Sequence, residues 1–336
     1  MTATENLQVK LARFPDGEPT PDDFEVAAGP VPECGAGQVL CETLFLSLDP
    51  YMRSQIAGRH ISGTIAPGDV MLGETVARVV QCDSGAFQVG DLVRCQGGWQ
   101  QYSVHSPEAL HRLPANVVSP SYYLSVLGMP GLTAYSGLIW QAQPKAGDVV
   151  VVAAATGGVG AMVGQLAKLR GCRVVGIAGG ETKCRYAVEQ LGYDACIDRR
   201  AGDIGWIESE LDRLCPEGVD IYFDLVGGAL LNAVSQRLAV GARVVLCGIM
   251  SELNSSDRGA GPHPGLWIKA RASVYGLVVY DFESRRDEFI AACLPAVESG
   301  DIQCLEDCYE GLARAPEAFC RLMRGENMGK VVIKVA

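Results

Sequence analysis

The chain has 336 residues, 48% hydrophobic and 20% charged, a globular composition too long for one ordinary core, so two domains are expected. With 39 acidic against 28 basic residues its formal charge is −11, which argues against a nucleic-acid or anionic-membrane binder and requires an anionic ligand to meet a local cluster of positive groups. No apolar run reaches the ~20 residues of a membrane span, the mixed-charge opening MTATENLQVKLARF is no secretory signal, and 13 scattered cysteines without a CxxC read as reduced thiols in the cytoplasm.

Residues 1–121 are strand-and-turn material. Apolar runs such as QVLCETLFLSL and VMLGETVARVVQC alternate with turns such as PDGEP, APGD and QVGD, which predicts a mainly β, barrel-like domain. From Tyr122 the texture changes, and LSVLGMPGLTAYSGLIW has helical spacing. Strand and helix then alternate within residues 122–290: VVVVAAA, AMVGQLAKLRG, RVVGIAG, ETKCRYAVEQLG, ACID, DIGWIESELDRL, GVDIYFDLVGG, ALLNAVSQRLAVGA and RVVLCG. This predicts an α/β doubly wound parallel sheet with helices on both faces. SELNSSDRGAGPHPG, from Ser251 to Gly265, reads as a long lid or binding loop, and SVYGLVVY as a further strand. The tail has one helix, DEFIAACLPAVESG, which runs into the last segment, residues 291–336, and then short pieces ending KVVIKVA.

VVVVAAATGGVG, Val149 to Gly160, places almost no side chain between a buried strand and a helix. It fits Ala154-x-x-Gly157-x-x-Gly160, a variant of the dinucleotide fingerprint. Glycines there let the backbone turn tightly and approach a pyrophosphate, while the helix aims free N–H groups and its positive end at it. A glycine turn can also be purely structural; the strand before it and the helix after it favour the ligand. An NAD site carries an acid at the tip of the second strand, some 20 residues on. Here RVVGIAGG ends in Gly179-Gly180, followed by Glu181 and Lys183, and the next strand ends IDRR with Arg199 and Arg200. Small residues leave room for a 2′-phosphate that Lys183 and Arg199 neutralise, so NADP(H) is the expected cofactor. The alternative is a solvated helix start with surface arginines.

A catalytic zinc needs about three Cys, His or acidic ligands. The four histidines, His60, His105, His111 and His263, are isolated, and the closest cysteines, Cys304 and Cys308, have no second pair. LGETVARVV offers Gly73-Glu74 and no Gly-His-Glu, so no metal site is expected.

The sequence resembles the medium-chain dehydrogenase/reductase superfamily. It is similar to its zinc-independent group of prostaglandin reductases, leukotriene 12-hydroxydehydrogenases, alkenal double-bond reductases and curcumin reductases. The resemblance runs almost end to end. It is carried by RFPDGEPTPDDFEV, LSLDPYMR (Leu46 to Arg53), MPGLTAYSGL (Met129 to Leu138), AATGGVGAMVGQLAKLRGCRVVG, YFDLVGG (Tyr222 to Gly228), VVYDF and GENMGK (Gly325 to Lys330). It implies a GroES-like β-rich catalytic domain, a Rossmann nucleotide-binding domain and a tail that returns to the first. It also implies a homodimer, and NADPH-dependent reduction of the C=C bond of an apolar enone or enal. Carried over position by position, the cofactor contacts are Thr133, Gly157, Gly158, Val159 and Gly160, with Lys183 and Arg199. Cys247 and Gly248, then Leu277, Val278 and Val279, and finally Asn327 complete them. Three positions depart from the group: Arg199 replaces a frequent tyrosine, Leu225 an asparagine, and Lys269 a tyrosine proposed to aid enolate protonation.

Hydride addition to an activated C=C needs donors for the developing oxyanion and a proton for the α-carbon. Tyr51 in DPYMR is the first candidate for holding the carbonyl or relaying a proton, against plain packing. Arg53 either steers the cofactor or pairs with a nearby acid. Lys269 donates a proton or lies on the surface. Tyr280 lines the substrate pocket or packs in a strand. An NADPH quinone oxidoreductase and a non-catalytic NADPH-binding protein are the competing readings.

Overall fold

The computed structural model describes residues 5–114, 118–255 and 259–336. The first four residues of the opening segment and residues 256–258 of the long loop lie outside them. Two compact units emerge, Met1–Ser125 with Glu306–Ala336, and Val126–Leu305.

In the first unit β1 (Glu5–Leu11) and β2 (Phe24–Pro30) form an antiparallel pair. A mostly antiparallel sheet follows, built from β3 (Val39–Ser47), β4 (Thr75–Cys82), β5 (Leu92–Cys95), β6 (Tyr102–His105) and β7 (His111–Arg112). Alternate residues of these strands, Val39, Cys41, Ala77, Val79, Val93 and Cys95, face one core, as period-two patterning requires. Between β3 and β4 the single-turn helix α1 (Met52–Gln55) follows directly on Asp49-Pro50-Tyr51 and buries Met52, Arg53 and Gln55.

The second unit opens with α2 (Met129–Tyr135), which widens into a π turn over Ser136–Ala142. Then come β8 (Val149–Ala153), α3 (Gly158–Leu169), β9 (Arg173–Ala178), α4 (Glu181–Glu189), β10 (Ala195–Asp198) and α5 (Ile204–Leu214). The chain goes on through β11 (Val219–Asp224), α6 (Gly228–Ser235), β12 (Leu238–Leu246), α7 (Pro264–Ala270), β13 (Ser273–Gly276) and α8 (Arg286–Ser299). The sheet runs β10-β9-β8-β11-β12-β13, every pair parallel. Its central strands are continuous apolar runs because both faces are covered.

The tail rejoins the first unit. β14 (Glu306–Glu310) and β15 (Lys330–Lys334) extend its sheet, with β15 antiparallel to β3, and α9 (Ala315–Met323) connects them. The crossings fall later in the chain than 121 and 290. The turn Pro120–Leu124 packs on β3 and β4, and α8 packs on α2.

Three elements differ from the sequence reading. LAVGA, read as the end of a helix, is the start of β12: α6 stops at Ser235, and Leu238 already pairs with Val219. SVYGLVVY is not one strand. β13 ends at Gly276, Leu277 N–H makes a last bond to Leu246 O where β12 runs out, and Val279–Arg285 coils into a 3-10 turn. The tail also holds α9, whose Ala318, Phe319 and Leu322 are buried.

Candidate functional site

Because every strand of the second unit points the same way, the loops that follow β8, β9, β10, β11, β12 and β13 share one edge of the sheet. The chain winds outward from β8 through β9 to β10, then returns to β11 on the other side of β8. Ligands of open parallel sheets bind at the carboxyl edge at such a switch point. The glycine loop that leaves β8 lies there.

In that loop Ala154 adopts φ +49° and turns its carbonyl back over the helix start, where Gly157 N–H donates to it at 2.9 Å. A β-carbon on Gly160 would lie 2.3 Å from that same oxygen, so only glycine fits. The first bond of α3 runs from Ala161 N–H to Gly157 O at 2.9 Å. The N–H groups of Gly158, Val159 and Gly160 therefore open outward at the positive end of a 12-residue helix, a cradle for a phosphate. Behind it the buried Tyr193 hydroxyl donates to Gly160 O at 2.7 Å. Burial raises its pKa well above the usual value, which keeps it a donor.

The next loop is basic. At the tip of β9 a β-carbon on Gly179 would stand 3.3 Å from Nε and Nη2 of Arg199 and 3.3 Å from Nε of Arg200. Both arginines are exposed, and among the described residues neither has a carboxylate within ion-pair distance. Asp198 organises the tip, accepting from Gly180 N–H at 2.7 Å and Arg200 N–H at 2.8 Å. Lys183 lies on the first turn of α4, half-buried. Two guanidiniums beside the glycine turn suit a phosphate monoester, and the Asp198 carboxylate at that turn is taken up by the Gly180 and Arg200 N–H groups. Arg200 and Asp198 were not among the predicted contacts; the IDRR that ends the third strand, Ile197 to Arg200, was their only signal.

Further along the edge, the buried Asp224 fastens two loops together. Its carboxylate accepts from Tyr222 Oη at 2.9 Å, from Val226 N–H at 3.0 Å and from Gly227 N–H at 3.0 Å. Burial raises its pKa, and those donors oppose the rise. Its carbonyl accepts from Cys247 N–H at 2.9 Å and Gly248 N–H at 3.2 Å. Burial pushes the Cys247 thiol up to about 12, so it stays neutral. Leu225, in place of an amide, is buried and offers no polar contact. Leu277 is buried, whereas Val278 and Tyr280 are exposed beyond the end of β13. Val279 opens the 3-10 turn that also carries Tyr280. Thr133 is buried on α2 with its hydroxyl donated to Met129 O at 2.8 Å. Lys269 is exposed on the last turn of α7.

The first unit holds Tyr51, Arg53 and Asn327. Tyr51 stacks on His60, ring centroids 4.9 Å apart and planes at 28°. His60 was not predicted as a site residue, since nothing in its turn-rich surroundings marked it. Burial lowers its pKa below 6.5. Its Nδ1 meets Ser62 Oγ at 2.6 Å and accepts from Ser62 N–H at 3.2 Å, while Gln55 Nε2 donates to Ser62 Oγ at 3.0 Å. Arg53 is buried and donates to Gly17 O at 2.7 Å; burial first, then Arg59, lowers its pKa. Asn327 is buried with its amide donated to Gly329 O at 2.7 Å. Glu74, at the position considered for a zinc ligand, is buried in an ion pair with Arg94. Among the described residues no group of three or more His, Cys, Asp or Glu side chains could hold a metal ion.

Residues 7–113 match the family described as N-terminal domain of oxidoreductase, and residues 158–295 the family described as zinc-binding dehydrogenase. The donor set above does not fit the zinc of that description. Over its length the chain is similar to NADPH-dependent curcumin reductase of Escherichia coli (strain K12), 44% identical across 98% of this chain and 97% of the relative. It is 36% identical to the NADP(+)-dependent 2-alkenal reductase of Nicotiana tabacum, across 98% of both chains. Prostaglandin reductase 1 of Mus musculus is 37% identical, across 96% of this chain and 97% of the relative. Among solved structures, CurA from Vibrio vulnificus in complex with NADPH superimposes with a TM-score of 0.93 at 40% identity, across 98% of this chain and 99% of that one.

Proposed function

The chain belongs to the zinc-independent medium-chain dehydrogenase/reductase group of curcumin, prostaglandin and 2-alkenal reductases, and on that premise we propose that it uses NADPH to reduce the C=C bond of α,β-unsaturated ketones and aldehydes. One observation carries this reading: a phosphate cradle at Gly158–Gly160 and a tip at Gly179 flanked by two arginines lie on one sheet edge of an oxidoreductase.

The α3 N–H groups would hold the pyrophosphate, and Arg199, Arg200 and Lys183 the 2′-phosphate. Thr133, Cys247, Gly248, the Leu277–Val279 stretch and Asn327 would make the remaining contacts. Bound there, NADPH supplies a hydride. Its target is the substrate carbon β to the carbonyl, because attack at that carbon alone delocalises charge onto oxygen. The Tyr51 hydroxyl would donate a hydrogen bond to that oxygen as charge develops. The α-carbon then takes a proton through Tyr51, from Lys269 or from water. Tyr280, exposed beyond β13, would flank an apolar substrate.

We place a second copy of the chain on β13, one of the two unpaired edges of the sheet. Exposed Val240, Ile268 and Val274 favour a homodimer there, since a bare edge invites strand addition. All 13 cysteines are free thiols, which agrees with a cytoplasmic site of action.

NADPH consumption with a panel of enones, enals and quinones tests the reading. Turnover with enones supports it. Turnover confined to quinones makes the protein a quinone oxidoreductase, and binding without turnover makes it a non-catalytic NADPH-binding protein.

A further inference from the structure

Lys330 closes the GENMGK motif, where the resemblance suggests a cofactor contact, yet its ammonium is buried inside the first unit. Its three hydrogens meet three acceptors: Leu48 O at 2.5 Å, Asp49 Oδ1 at 2.9 Å and Val331 O at 3.2 Å. The other Asp49 oxygen accepts from the buried Ser47 hydroxyl. Val331 O also accepts from Leu48 N–H at 3.2 Å, so β15 grips the backbone just where it leaves β3. Asp49 in turn starts the turn that carries Tyr51. Its carbonyl accepts from Met52 N–H at 3.1 Å, and its N–H donates to Met52 Sδ at 3.5 Å.

We propose that Lys330 and Asp49 are positioning residues for Tyr51, a buried ion pair that fixes the Leu48–Tyr51 turn so that the tyrosine ring is held in one place. This rests on the reading of Tyr51 as the donor to the substrate carbonyl. Stability alone does not explain such a pair. Desolvating two charges offsets their attraction, and apolar replacements of similar volume are often as stable. What a fully bonded ammonium adds is geometry: it ties two backbone carbonyls and one carboxylate to a single point. A donor to a developing oxyanion needs that, because a displacement of about 1 Å lowers turnover on the order of 100-fold.

The test combines Lys330→Met, and Lys330→Met with Asp49→Asn, in wild-type and Tyr51→Phe backgrounds. The double change removes both charges, leaves none unpaired, and serves if the single variant does not fold. Three quantities are read: kcat for enone reduction, KM for NADPH, and amide hydrogen exchange over residues 48–55. With Tyr51 present, kcat should fall on the order of 100-fold, with KM for NADPH unchanged and exchange over 48–55 faster. With Tyr51→Phe, the same changes should leave kcat unaltered. An equal loss of kcat in both backgrounds, full kcat in the doubly neutralised protein, or unchanged exchange overturns the proposal. Wild-type protein without enone turnover overturns the functional reading instead, and the exchange result still decides whether the pair holds the turn.

Discussion

The ring of Tyr51 lies flat against that of His60, 4.9 Å between centroids. The imidazole titrates below 6.5 because it is partly buried. The unfolded chain therefore takes up the proton at higher pH than the folded one. The stability His60 contributes is complete above pH 6.5 and is lost as pH falls through its lowered value. Thermal unfolding followed between about pH 5 and 7 should show this acid limb, and His60→Phe should flatten it while keeping the stack. An acid limb of equal depth in the variant would show that another group causes it.

Arg199 and Arg200 meet at Gly179, and each charge-assisted contact to a 2′-phosphate contributes about 1.5–3 kcal/mol. Arg199→Ala should raise KM for NADPH on the order of 10- to 100-fold and leave that for NADH nearly unchanged. Lys183→Ala should act in the same direction. Equal losses for both cofactors would show that these side chains do not read the 2′-phosphate.

Gly160→Ala puts a β-carbon 2.3 Å from the Ala154 carbonyl, between backbone segments that cannot yield cheaply. The variant should lose about 1–3 kcal/mol of stability and bind NADPH weakly. Gly157→Ala, whose nearest neighbour would be 3.3 Å away, should be milder in both. Thermal melts and NADPH fluorescence titrations check the order.

Glu74 is committed to Arg94, so turnover should survive prolonged chelation. Arg94→Met strands a buried carboxylate and should cost about 3–5 kcal/mol, and adding Glu74→Leu should recover most of it. Loss of activity on chelation, restored by zinc, would contradict this reading of Glu74.

The nucleotide-binding unit was legible in the sequence because its signals are local. Four consecutive valines, a glycine turn and a helical period lie within 20 residues of one another, and Gly179-Gly180 with IDRR places small and basic residues where an NAD site carries an acid. The misreadings have a common cause. Composition alone misplaces LAVGA and LVVY: whether a β-branched run becomes a strand depends on a partner, which LAVGA finds in β11 and which β12 does not offer LVVY beyond Leu246. The surroundings of Tyr51 were illegible for the same reason. Lys330 reaches Asp49 from 281 residues away, and no periodicity links them. His60 lies in a glycine-rich turn where only folding brings it onto the tyrosine ring.

Product analysis with 3-nonen-2-one and NADPH deuterated at the transferred position decides which bond receives the hydride. The predicted product is the saturated ketone, carrying the label on the carbon β to the carbonyl. Tyr51→Phe should lower kcat more than it raises KM for the enone, because the contact strengthens as charge develops on oxygen. An allylic alcohol labelled at the former carbonyl carbon would contradict the account and make this chain a carbonyl reductase.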